Sequence, residues 1–271
     1  MFKHLPLIPL VVLAALATSA AAQGKSDAKA KRLPQVNVGG VDDKAGGTIT
    51  GVVRFEGDKP EPKPLNEIAG NSFCKSCYKD GDLPQRDNVV FGKNGDDDTL
   101  QNVLVYVSKG LEGKEFEPPK QAVVLDQVGC VYTPHVVAVM AGQTLEIRNS
   151  DPTLHNVMSA PRTNPPFNFG MPVKDQKVEK VFKEPELKMD LKCFMHPWMS
   201  SYVHVLEHPF FAVTGPDGTF TIKGLPPGEY ELTVLHETNQ FEPTPATAPA
   251  KVEAGQTNTV DFTYKPRDPS K

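Results

Sequence analysis

The 271-residue sequence has only four cysteines and no marked excess of charge, with 29 basic residues against 33 acidic ones and a formal charge of −4. No basic patch stands out, which argues against nucleic acid as a partner. No stretch sustains a helical period, so a helical bundle is not expected. Beyond the N-terminal apolar run, no segment is long and apolar enough to span a bilayer. The sequence also lacks a nucleophile–base constellation, a phosphate-cradling loop and a catalytic carboxylate pair, so an enzyme acting alone is not expected.

What the chain does have is proline and glycine, 26 and 21 residues, a composition that favours many turns. Lys3 and His4 precede an apolar run from Leu5 to Thr18, and Ala20-Ala21-Ala22 offers a small-residue cleavage site. Pro6, Pro9 and the shortness of the run argue against a membrane anchor. Residues 1–22 therefore read as a signal peptide and imply export to the periplasm or another oxidising compartment. Residues 23–45 are polar and aperiodic and read as a flexible leader. From Gly46 onward, short β-type runs alternate with Gly, Pro, Asp and Asn, with strands expected over 48–55, 102–108, 135–140, 144–149, 178–182, 187–194, 202–206, 219–222, 229–235 and 259–264. Within 102–108, Val103, Val105 and Val107 share one face, while Leu104 and Tyr106 share the other. An all-β protein built of sandwiches is expected.

The chemistry is concentrated in Cys193-Phe194-Met195-His196-Pro197-Trp198-Met199, a C-x2-H-x2-M run. His155 lies 38 residues before Cys193. One Cys and two His with a weak axial Met is the ligand set of electron-transfer copper. Soft sulfur favours Cu(I), imidazole accepts both oxidation states, and Pro197 stiffens the loop. Asp96-Asp97-Asp98 is read as a solvated turn in preference to a calcium loop, and His135, His204 and His208 as strand-end or surface histidines. Met158 and Met195 are expected to pack and not to ligate.

Residues 122–206 resemble the cupredoxin family, in particular its amicyanin/plastocyanin branch. The resemblance rests on Ala141-Gly142-Gln143-Thr144-Leu145, on an N-x-D-x-x-x-H-N segment from Asn149 to Asn156, and on the short ligand loop. It implies one type 1 copper with His155, Cys193 and His196 as equatorial ligands and Met199 as the axial one. It also implies that Asn156 ties the two ligand-bearing loops together and that the second histidine of the loop reaches the surface. In that case Phe194, Met195, Pro197 and Trp198 would ring its edge as an apolar docking patch; packing of Trp198 in the core is the alternative.

If Cys193 is a copper thiolate, Cys74, Cys77 and Cys130 remain. Tyr78 follows the C-x-x-C pair where haem attachment would require His, and a redox C-x-x-C would need a strand-to-helix context that this neighbourhood does not offer. One disulfide from Cys130 to Cys74 or Cys77 is expected, leaving one thiol unpaired. The segment 215–230 resembles the second half of carboxypeptidase regulatory-like (transthyretin-like) sandwiches, and 47–55 with 102–108 resembles the first half. The expected layout is a sandwich in two parts, 46–118 and 209–266, around a cupredoxin domain at 119–208; a separate C-terminal domain is the alternative. The expected role is a periplasmic electron carrier serving a redox protein such as a c-type cytochrome. The alternative is a copper-binding or structural adhesion protein.

Overall fold

A computed structural model describes residues 46–79, 82–86 and 89–268; the signal-peptide and leader assignments at 1–45 lie outside the described residues. The fold is all-β, and its strands follow from period-two burial. Gly47–Phe55 and Thr144–Asn149 alternate inward and outward residues without interruption, as a half-buried strand requires. No helix among the described residues is long and apolar enough to cross a membrane.

Four sheets pair into two sandwiches. In one, a seven-stranded sheet centred on Gly47–Phe55 faces a four-stranded sheet of Phe211–Val213, Leu104–Lys109, Gly228–Leu235 and Thr247–Val252. Ile49, Val53, Phe220 and Phe262 of the first sheet share a core with Val105, Val107, Leu232 and Val234 of the second. In the other sandwich the five-stranded sheet runs Phe167–Met171, His155–Ser159, Glu186–Lys192, Ser200–Leu206, Val136–Met140. It faces the four-stranded sheet Gln176–Val181, Thr144–Asn149, Val123–Val128, Val131–Thr133 across Leu125, Leu145, Ile147, Val157, Leu191 and Val203. The two sandwiches meet along Leu104, Val136, Ala138, Leu206, Phe211 and Val213. At this seam His135 pairs with Glu237 at 2.6 Å, both side chains buried.

The chain enters and leaves the second sandwich between partners in the first. Leu104–Lys109 pairs with both Phe211–Val213 and Gly228–Leu235. Gly47–Phe55 pairs with Thr219–Leu225, Thr257–Thr259 and Phe262–Pro266. Residues 209–271 alone would therefore expose unpaired edges and one face of an apolar core, and such pieces are not stable in isolation. That fragment is expected to give an unfolded amide-exchange and near-UV dichroism profile; a cooperative melt would contradict the interleaved pairing.

Several expectations are corrected. Leu65, Ile68, Cys74 and Leu83, assigned by sequence to the first sandwich, pack against the core of the second. The C-x-x-C pair starts in the five-residue helix Ser72–Ser76, which follows the 3-10 turn Asn66–Gly70 and not a strand, so the strand-to-helix context of a redox pair is absent, as expected. Asp97 and Asp98 lie on the strand Asp97–Leu100 and not in a turn, with their carboxylates paired to Arg54, Lys59 and Lys93. His135 immediately precedes the strand Val136–Met140, as a strand-end histidine does, but is buried, and His204 lies buried within Ser200–Leu206. Burial pushes His204 down to about 3, so it is a neutral core residue.

Candidate metal centre

Three strand ends and the loop between two of them deliver the four sequence-predicted ligands. His155 opens the strand His155–Ser159 and points inward with Val157 and Ser159. Cys193 follows Glu186–Lys192, and Met199 precedes Ser200–Leu206, so the run 193–199 is a tight connection between paired strands. Its ends are fastened by Cys193 N donating to the Met199 carbonyl at 3.3 Å and Met199 N donating to the His196 carbonyl at 2.8 Å.

The structure brings three of the predicted ligand atoms together. His155 Nδ1 and His196 Nδ1 lie 3.0 Å apart, Cys193 Sγ lies 3.9 Å from His196 Nδ1, and all three side chains are buried. The ligating atoms of His155, Cys193 and His196 fall within 4.8 Å of one another. A metal bound at about 2.0–2.3 Å from nitrogen and sulfur requires donors no more than about 4.3 Å apart, a limit that the 3.0 Å and 3.9 Å separations to His196 Nδ1 meet. Met199 is 1% exposed and lies in the same buried cluster as Cys193. Thiolate, two imidazoles and a thioether form a donor set that suits copper.

The thiol is prepared for metal binding. Burial alone would raise the Cys193 pKa, but hydrogen bonds from His155 and His196 outweigh it, with backbone N–H donors adding to the effect. The result is a thiol lowered to about 6. The thiolate, which is the ligating form, is therefore present at neutral pH. Burial works to lower His155, and the hydrogen bond to Asp151 reverses this to a net rise.

Asn156 joins the two ligand-bearing segments. Its backbone N–H donates to Cys193 Sγ at 3.4 Å, and its Oδ1 accepts from Phe194 N at 3.2 Å. Its Nδ2 donates to Asn168 Oδ1 and the Phe169 carbonyl, fixing the amide's orientation.

Three features carry more than the sequence pattern alone assigns them. Asp151 stands in the N-x-D-x-x-x-H-N pattern without a role attached, yet its carboxylate accepts from Gly129 N and Cys130 N at 2.8 Å each and from His155 Nε2 at 2.9 Å. Gly129 and Cys130 both have positive φ, 64° and 57°, as a two-residue hairpin turn between Val123–Val128 and Val131–Thr133 demands. A left-handed conformation at the non-glycine Cys130 costs about 1–2 kcal/mol, which the charged acceptor on both turn N–H groups offsets. Cys130 is bonded to Cys74, leaving Cys77 as the free thiol. Asn71, far away in sequence, places its Nδ2 3.3 Å from His196 Nε2.

The docking expectation is corrected. His196 is 3% exposed and does not reach the surface. Trp198 is half-buried, its ring packs 5.1 Å from that of His196, and its Nε1–H donates to the Cys130 carbonyl at 2.9 Å. Pro197 is exposed, as are Phe194 (62%) and Met195 (52%), so the apolar edge of the loop is made without Trp198.

Similar solved structures are cupredoxins. They include a copper-containing nitrite reductase from Thermus scotoductus SA-01, at 23% identity and TM-score 0.28 over 36% of this chain and 25% of that one. A Cu(I) amicyanin variant matches at 21% identity and TM-score 0.28 over 37% of this chain and 97% of its own. A purple cupredoxin from Nitrosopumilus maritimus matches at 27% identity and TM-score 0.24 over 28% and 81%. The likeness thus covers about a third of the chain and a quarter of the reductase. No family model and no curated protein matches the sequence.

Proposed function

We propose that this chain is an exported type 1 copper protein that carries single electrons between redox proteins and does not itself catalyse a reaction. The observation that carries the reading is the buried convergence of His155 Nδ1, Cys193 Sγ and His196 Nδ1 on a thiol already tuned toward thiolate. Bound copper would supply one-electron redox chemistry at that point. The protein's part is to hold the donors. Asp151 orients His155 through its Nε2, Asn156 supports the sulfur and the ligand loop, and the surrounding apolar core excludes water. A donor set held by buried hydrogen bonds has little freedom to rearrange when the charge at its centre changes, which suits electron transfer.

The partner proposed is a basic c-type cytochrome in the periplasm, since the chain is acidic overall and its exposed Phe194, Met195 and Pro197 offer a small apolar contact of the size that transient redox encounters use. Stopped-flow mixing of the reduced, copper-loaded protein with such a cytochrome tests this. Exchange should be fast and slow down as salt rises; no exchange, with copper bound, would contradict the role.

Met199 provides an independent check. Met199→Leu should keep the blue colour and raise the reduction potential, because loss of a weak thioether donor disfavours Cu(II). An unchanged potential in protein-film voltammetry would mean that Met199 is not a ligand.

A further inference from the structure

Residues 65–78 lie in sequence among the strands of the first sandwich, yet they sit on the metal centre of the second. Leu65 and Ile68 are buried in its core, and the helix Ser72–Ser76 stands over His196. Asn71 caps that helix with its Oδ1, which accepts from Cys74 N at 3.0 Å, so its Nδ2 is the atom turned toward His196 Nε2. The next turn is fixed by the Cys74–Cys130 disulfide, whose two sulfurs lie within 4.8 Å of a ring nitrogen of His196. The Cys130 carbonyl in turn accepts from Nε1–H of Trp198, whose ring packs 5.1 Å from the imidazole.

We propose that 65–78 is a disulfide-latched cover on the metal centre: it closes the His196 edge to solvent and partners, and Asn71 is the residue that positions the ring. This rests on the reading of His196 as a metal ligand, but the cover itself is a property of the polypeptide. A five-residue helix has no stability of its own, so its place over His196 depends on the latch, the Asn71 cap and the packing of Leu65 and Ile68. The bridge joins residues 56 apart and restricts a long stretch of the unlatched chain. A dithiol reductant opens it by giving up two electrons and two protons. The reductant becomes a disulfide, and Cys74 and Cys130 leave as thiols. Cys77 does not compete as an internal nucleophile, because burial and then the nearby Asp151 charge push its thiol up to about 11. Unlatching by an external reductant exposes His196.

The test uses the metal-free full chain and diethylpyrocarbonate, which acylates accessible imidazole nitrogens, with His196 read by mass spectrometry. Acylation of His196 should be slow in the oxidised protein. It should be about tenfold faster or more after dithiol treatment and in Cys74→Ala/Cys130→Ala, as local opening becomes easier. Asn71→Ala, with the disulfide intact, should show a smaller increase and a changed 15N shift of His196 Nε2; Asn71→Asp, which keeps the acceptor for Cys74 N but has no donor for Nε2, should restore slow acylation and not the 15N shift. If the double variant fails to fold, the reduced native chain and Asn71→Ala decide between cover and no cover. Equal acylation of the oxidised and reduced forms, or an oxidised form as reactive as free imidazole, would overturn the cover. None of these readouts needs copper, so failure of the copper reading shows separately as absence of a visible band in the untreated protein.

Discussion

Cys193→Ser is expected to abolish the visible charge-transfer band altogether and to weaken copper binding severely, while the fold persists. The serine hydroxyl is smaller and harder than thiolate and does not ionise near neutral pH, so the site loses its only anionic soft donor. Cys193 is fully buried and forms no disulfide, so the change removes a ligand without removing a covalent tie. Metal analysis, visible absorption and a denaturant melt together check this. A blue copper band surviving in Cys193→Ser would remove Cys193 from the centre.

Asp151→Ala is expected to have the largest effect on stability. Its carboxylate is the acceptor for two buried backbone N–H groups in a turn whose second residue is a strained non-glycine, and it also holds His155. Hydrogen bonds to a charged acceptor are worth about 1.5–3 kcal/mol each, so losing both turn bonds should cost about 4 kcal/mol. That is a large fraction of the about 5–15 kcal/mol that holds an ordinary domain together. Freeing Nε2 of His155 should also lower metal affinity by about 10–100-fold, the usual effect of losing a partner behind a ligand. Urea denaturation of the metal-free protein checks the first effect, and a competition titration the second. Asp151→Asn, which keeps one acceptor oxygen, should lie in between. A loss in Asp151→Ala below about 1 kcal/mol would mean that the turn does not depend on this carboxylate.

The parts of the site that are legible in sequence are local. Cys193, His196 and Met199 lie within one loop, and their residue types name their chemistry before any fold is known. His155 and Asn156 come with them through the family pattern. Strands with unbroken alternation, such as Thr144–Asn149, are equally legible. Those that escape sequence reasoning are short or look like something else. Phe167–Met171 follows Pro165-Pro166, and its Asn168 and Gly170 read as turn residues although they are the outward face of a strand. In His155–Ser159 the inward alternation of His155, Val157 and Ser159 spans only five residues, and two of those three inward positions are polar, so no apolar face marks the strand.

The cover is illegible for a different reason. Asn71 is 125 residues from His196, its helix is a single turn, and only Leu65, Ile68 and Cys74 of 65–78 mark a buried side. Nothing in the local pattern says which core those residues join, because that is settled by long-range packing and the bridge to Cys130. The expectation of an exposed second histidine comes from a family resemblance and not from this chain, in which Asn71, the Cys74–Cys130 bridge and Trp198 lie against the His196 ring. The cysteine pairing holds the one sequence clue: a bridge from Cys74 to Cys130 puts 65–78 beside the hairpin turn at Cys130, and so near the ligand loop.

The central claim is tested most directly by adding Cu(II) to the metal-free, disulfide-intact protein and recording its visible absorption and EPR spectra with metal analysis. The account predicts one copper per chain, an intense visible sulfur-to-copper band and narrow hyperfine splitting. Stoichiometric zinc in protein from copper-replete cells, with no visible band on adding Cu(II), would contradict it.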